Sequence, residues 1–267
     1  MRRAFTLIEL LVVISIIALL IAILLPALSA ARESAAKIEN SVSLRSMHQA
    51  QVIYSNDNKS YFTGLKSDGV LKTTAEVAAE LKTTPANIWF YAGAHIVPRF
   101  AILAQSGVLA YEHLICPKDT DRIPWDGVTK FGHEFVSYAA LDIAVANSPS
   151  RKAWRDDGSS QTPIFSDRST WFASASLAPP SVDTTTGSSL WSEDIWQGSI
   201  AWNDGHTTFE ASPELENTRL ANVQIPVDGL IDSYTASSYG GEARGYHVRM
   251  IKRNTEFANG AYSGLNP

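Results

Sequence analysis

The chain has 267 residues, with 22 Lys+Arg against 27 Asp+Glu, six His and one Cys, for a formal net charge of −5. A single cysteine, Cys116, excludes an internal disulfide framework and any metal site built from several thiolates. A mildly acidic chain without a basic block is a poor nucleic-acid binder, and 45% hydrophobic against 18% charged residues supplies ample core for one large domain or two small ones.

The first element is apolar and continuous. After Met1-Arg2-Arg3-Ala4, the run Phe5–Leu25 carries one charge, Glu9. A helix of that length rises about 30 Å, the thickness of a bilayer's hydrocarbon core. Arg2 and Arg3 precede it, so the positive-inside rule keeps them cytoplasmic and sends the rest of the chain outward. A signal peptide has a shorter apolar run, although Pro26-Ala27-Leu28-Ser29-Ala30 offers a cleavage-like string, and a plain anchor needs only the apolar run itself. Glu9 weighs against both. A carboxylate within a membrane helix is costly and functional by default; it needs a partner, and the segment itself is expected to supply none.

These residues resemble the leader of type IV prepilins and type II secretion pseudopilins. The resemblance rests on Ala4 followed by Phe5-Thr6-Leu7-Ile8-Glu9, the apolar run, and Pro26. It implies cleavage by a prepilin peptidase between Ala4 and Phe5, with N-methylation of Phe5; the family's usual Gly before the cut is Ala4 here. It implies that Glu9 pairs with the new amine of Phe5 on a neighbouring copy, and that Pro26 kinks the helix. The implied partners are the peptidase, copies of the chain and other pseudopilins in a filament, an inner-membrane assembly platform and the lipid bilayer, with no nucleic acid. The implied location is the inner membrane, crossed once, with the globular part on the periplasmic or extracellular side.

Beyond Pro26 the stretch to Ser55 lacks Gly and Pro. Leu28, Ala31, Ala35, Ile38 and Val42 recur at helical spacing, and Met47, Ala50 and Ile53 continue after a one-residue slip. The second half of this helix is expected to pack on its own domain. Residues 1–4 thus read as leader, 5–25 as the membrane helix, 26–55 as its amphipathic extension and 56–267 as the exported domain.

Asn56-Asp57-Asn58-Lys59 breaks the helix. From here the chain resembles a large pseudopilin-like group through several strings in order: Tyr54 to Phe62, Cys116-Pro117-Lys118-Asp119, Ser137-Tyr138, Ile164 to Arg168, and Asp204-Gly205-His206. The group's His ten residues before the last Asp is Asp194 here.

Short helices are expected near Thr74–Leu81 and Arg99–Leu109. Strand signals fall at Ile88–Tyr91, Pro163–Ser166, Ser199–Trp202, Thr207–Glu210 and Tyr246–Ile251, with a hairpin turn at Asn203-Asp204-Gly205. Residues 145–162 and 176–190 read as long loops. The fold class expected is α+β: a pilin-like long N-terminal helix packed on an antiparallel sheet.

Catalytic signatures are absent. His133-Glu134 lacks the second His of a zinc-protease motif, and the chain has no phosphate-binding glycine loop and no nucleophile elbow. No cofactor is expected. Oxygen-ligand clusters at Asn56-Asp57-Asn58, Asp119 with Asp121, Asp156-Asp157 and Glu193-Asp194 leave a structural calcium open, without the EF-hand pattern. Cys116 reads as a buried small apolar residue, Asp167-Arg168 as a local ion pair or turn, and Asp204-Gly205-His206 as a turn followed by an exposed His. The chain therefore reads as a non-enzymatic filament subunit. The alternatives are a tethered enzyme, and a glycan-binding adhesin using exposed tryptophans such as Trp191 and Trp196.

Overall fold

A run of 50 residues without glycine forms the first element, α1 (Leu7–Asn56), which continues through Pro26. It belongs to a computed structural model that describes residues 6–84, 96–120, 122–126, 135–141, 143, 149–167, 189–192, 196–212, 214–220 and 223–229. The expected strands Ile88–Tyr91 and Tyr246–Ile251 lie outside the described residues, as do Ala4, Phe5, Asp121, His133-Glu134, Arg168 and Asp194. The chain divides into two compact units, residues 1–39 and 40–267.

In the first unit α1 is apolar on every side from Leu10 to Leu28 and turns polar after it. Leu7, Ile8, Leu10, Leu11 and the large aliphatic residues that follow as far as Leu28 are all exposed. Ser15 and Ser34 return their hydroxyls to the carbonyls of Val12 and Ala30, so neither leaves an open donor. Glu33 and Lys37 pair one turn apart at 2.9 Å. The segment is long and apolar enough to cross a bilayer.

In the second unit the remainder of α1 is two-faced. Asn40, Ser43, Leu44, Met47, His48, Gln51 and Ser55 are buried, whereas Val42 and Ile53 are each 52% exposed. The one-residue slip in the sequence pattern is thus a change of face. Val42 looks outward and Leu44, Met47 and Ala50 look inward, while Leu28 and Ile38 in the first unit are exposed; Ile53, grouped with the inward set by sequence, belongs with the outward Val42. The helix ends where Lys59 and Ser60 take positive φ (50° and 71°), and the Ser60 N–H closes back on the Ser55 carbonyl at 3.0 Å. Asn58 bonds the carbonyls of Tyr61 and Leu65 at 3.0 and 2.9 Å, fixing the exit.

α2 (Thr74–Glu80) starts at a reciprocal Thr73–Glu76 capping box. α3 (Ile96–Gln105) starts three residues before the expected Arg99 and stops early because Gly107 takes φ 75°. Every residue from Ile96 to Ala104 is buried, including Arg99. The Arg99 guanidinium lies 3.9 Å from the centre of the Trp154 ring and donates to the Leu141 carbonyl at 3.0 Å.

Four strands, β1 (Tyr138–Ala140), β2 (Pro163–Asp167), β3 (Gly198–Trp202) and β4 (Thr207–Glu210), form one antiparallel sheet in chain order. All residues of β2 and β3 are buried, so both faces are covered and neither strand alternates in polarity. The fold is α+β, with a long apolar N-terminal helix and an antiparallel four-stranded sheet. β5 (Glu214–Leu220) and β6 (Val223–Gly229) make a separate ribbon, in which Pro226, lacking an N–H, falls at the unpaired step. The ribbon is tied to the end of the preceding loop by the Arg219 N–H to the Gln161 carbonyl at 3.0 Å.

The loop expected over 145–162 contains a short helix, α4 (Pro149–Ala153). Pro149 opens it, where a missing N–H costs nothing, and five residues are too few to show a period. Trp154 follows at once and is fully buried. It stacks edge-on against Phe62 (5.2 Å) and Phe165 (5.6 Å) and donates its indole N–H to the Thr63 carbonyl at 2.9 Å. Trp154→Ala is expected to cost about 3–5 kcal/mol, read as a lowered midpoint in urea unfolding.

Candidate functional site

Two constellations carry the residues singled out by sequence. The first lies at the start of α1. Thr6 and Glu9 form a reciprocal cap: the Glu9 carboxylate accepts the Thr6 N–H at 2.8 Å and the Thr6 hydroxyl at 2.7 Å, while the Glu9 N–H donates to the Thr6 hydroxyl oxygen at 3.2 Å. Glu9 therefore has a partner inside its own segment, contrary to the expectation from sequence. Thr-x-x-Glu is a capping box, which answers a carboxylate with neutral donors rather than with a cation. This arrangement also satisfies donors at the helix start that have no partner within the helix. Pro26 lies within α1, two residues before Leu28, the end of the exposed aliphatic stretch.

The second constellation is buried in the globular unit and gathers strings spread widely along the chain. Asn40, on the inward face of α1, donates its amide to both oxygens of Asp167 (2.8 and 2.9 Å) and to the Ser199 hydroxyl (3.0 Å). It accepts the Tyr138 hydroxyl at 2.8 Å. Asp167 also accepts the Ser199 N–H and the Trp191 indole N–H, each at 2.7 Å. The Ser137-Tyr138 and Asp167 strings thus meet on one amide of α1. Asp119, itself buried, stands near enough for its charge to act on Asp167. Asp167 lies at the end of β2 and anchors the helix to the sheet, so it is not in a turn; the expected ion pair with Arg168 lies outside the described residues.

Burial pushes the Asp167 carboxyl up, to about 6, against the pull of the Ser199, Asn40 and Trp191 donors. The charge of Asp119 adds to the rise. This network has the chemistry of a structural clasp: a carboxylate saturated with donors and shut from solvent has no reach toward a substrate.

The Asp204-Gly205-His206 turn is the β3–β4 hairpin tip, with Gly205 at φ 83°. His206 is half exposed, bonded through its ring to Asp204 and stacked on Trp202 at 5.5 Å. Asn203, one residue before, places its carbonyl 2.9 Å from the ring Nε2 of His48 on α1. Cys116 is buried and free. Trp154 and Trp196 are fully buried, Trp125 and Trp202 nearly so, and Trp191 is half-buried against Phe209, so the described tryptophans form no exposed stacking platform. Asp156 is bonded by the Ser55 hydroxyl and Asp157 by Arg155. Among the described residues no group of three His, Cys, Asp or Glu side chains is placed to hold a metal.

Residues 1–25 match the family model of the prokaryotic N-terminal methylation motif. The chain is also similar to a particular filament protein, the type IV wide pilus major component PilA4 of Thermus thermophilus, at 41% identity over 88 residues. The aligned part is 33% of this chain and 61% of that relative. No solved structure matches the chain. The sequence signal for the first constellation was explicit. In the second, no pattern marks Asn40, because a lone amide in a polar helix stretch has none; Asp119, Tyr138 and Asp167 stand out only as strings.

Two measurements test the clasp. Asn40→Ala leaves the buried carboxylate without two donors and is expected to cost about 2–4 kcal/mol at pH 7 by urea unfolding. The folded-state pKa of Asp167 lies above its ordinary 3.8. Its stabilising contribution is therefore full below about pH 3.8 and is lost as pH rises to about 6. Asp167→Asn is expected to remove that segment of the stability-against-pH profile.

Proposed function

We propose that the chain is a structural subunit of a type IV pilus-like filament or type II secretion pseudopilus. It is processed by a prepilin peptidase between Ala4 and Phe5 and assembled through α1. The observation that carries this reading is the methylation motif at residues 1–25 on a helix whose large aliphatic side chains, from Leu7 to Leu28, are all exposed. That surface is suited to lipid before assembly and to the helices of other copies afterwards. The naming of the relative as a wide-pilus major component favours the pilus over the secretion system.

In this reading the subunit sits in the inner membrane with its globular unit outside, and hands over to an assembly platform. Glu9 enters the bilayer with its carboxylate capped by Thr6, which lowers but does not abolish the cost of a charge in lipid. Pairing with the methylated amine of Phe5 on a neighbouring copy replaces neutral donors with a cation, and charge-assisted bonds are the stronger. The driving force for register is the difference between these two states. Pro26 acts as the place where the helix bends during extraction from the membrane. The motif and the relative are those of a structural protein, and the buried polar network is spent on holding α1, so no catalytic role is assigned.

The test is Glu9→Ala expressed with the native peptidase. The variant is expected to be cleaved and methylated as the wild type is, yet to remain in the membrane fraction and be missing from sheared filaments. Normal entry of the variant into filaments overturns the pairing of Glu9 with Phe5.

A further inference from the structure

We propose that His48 is a pH-sensitive latch that holds the tip of the β3–β4 hairpin against α1 while its ring is neutral. The inference stands on the globular unit alone and does not depend on the filament reading. His48 is buried, 6% exposed, on the inward face of α1. Its Nε2 lies 2.9 Å from the Asn203 carbonyl. A carbonyl only accepts, so Nε2 carries the proton and Nδ1 is bare. That bare nitrogen faces the backbone of Gly205: a Cβ built there would stand 3.0 Å from Nδ1 and 3.4 Å from Cε1. The glycine is therefore required twice, by its φ of 83° and by the ring pressed against it. The edge of the contact is closed by Phe62, whose ring is 6.3 Å away and nearly perpendicular.

Protonation from solvent adds an N–H at Nδ1, where no acceptor waits among the described residues. Two acids face the ring from the elements packed on it, Asp204 on the hairpin and Asp156 on the loop after α4, and both favour its charged form. Each is committed elsewhere: Asp204 to the backbone and ring of His206, and Asp156 to the Ser55 hydroxyl at 2.6 Å. Burial outweighs them and holds the His48 ring below its ordinary value of 6.5. The hairpin side is also poised to leave. Neither amide atom of Asn203 has a protein partner although the residue is 4% exposed, and opening returns both to water. Docking is therefore strongest above about pH 6.5 and weakens as pH falls below it, because the undocked ring binds the proton more readily.

The experiment is amide hydrogen exchange of residues 203–206 in the full chain in detergent micelles, from pH 7.5 to 5, corrected for intrinsic rates. Protection is expected to hold down to about pH 6.5 and then fall, while amides of β2 and β3 stay protected. His48→Gln keeps a donor for the Asn203 carbonyl but does not titrate, so its tip protection is expected to be flat across the range. His206→Asn is expected to retain the fall. Without any variant, the midpoint of the His48 ring resonance is expected to track the loss of tip protection. Flat protection in the wild type, a persistent fall in His48→Gln, a fall abolished by His206→Asn, or a ring midpoint that does not track the tip each overturns the latch.

Discussion

A buried carboxylate that must be given donors organises the globular unit. Asp167, at the end of the inner strand β2, is 1% exposed, and an ion without partners there would be severely penalised. Its donors come from three places: the Asn40 amide on α1, the Ser199 N–H on β3 and the Trp191 indole. Each bond fixes an element that apolar contact alone would leave free to slide. Nearby, Gln51 trades two bonds with Thr63, at 2.8 and 2.9 Å, pinning the helix to the segment that follows it. Leu44, Met47 and Ala50 supply the apolar burial between these polar anchors. Directional bonds set the rotation of α1 and packing supplies most of the attraction.

The same logic explains the asymmetry of α1. Between Leu10 and Leu28 it carries aliphatic side chains on every side, with Ser15 returning its hydroxyl to the helix backbone, and the one carboxylate ahead of that stretch, Glu9, is capped by Thr6. From Asn40 its inward face mixes amides, a histidine and hydroxyls with apolar residues, because each polar group meets a specific partner on the globular unit. A helix built only to pack would need no such set.

Much of this was legible in the sequence, and the misses have physical reasons. The long helix, the β3–β4 hairpin and the α+β class follow from an unbroken run, an Asn-Asp-Gly turn and short scattered strands. β1, β5 and β6 were passed over. Three residues are too short for a pattern, and Glu214–Leu220 is polar enough to read as surface. Ile53 was placed on the wrong face because Met47, Ala50 and Ile53 fit one spacing while only the first two touch the core. The Thr6–Glu9 cap is not legible as an ion pair, because it answers the carboxylate with neutral donors. The Ser-Tyr and apolar-Asp-Arg strings are visible in the sequence, but the convergence of Tyr138 and Asp167 on Asn40 is a property of topology: residues 40, 138, 167 and 199 become neighbours only when the sheet forms. Such strings look like pieces of a binding site in sequence, and here Tyr138 and Asp167 are pieces of a clasp.

The account rests on α1 being a processed assembly helix rather than an anchor or a signal. Intact mass and N-terminal peptide mass spectrometry of the protein taken from its native membrane tests this most directly. The account predicts a chain that begins at N-methylated Phe5. A chain still beginning at Met1, or one cut after Ala30, contradicts it.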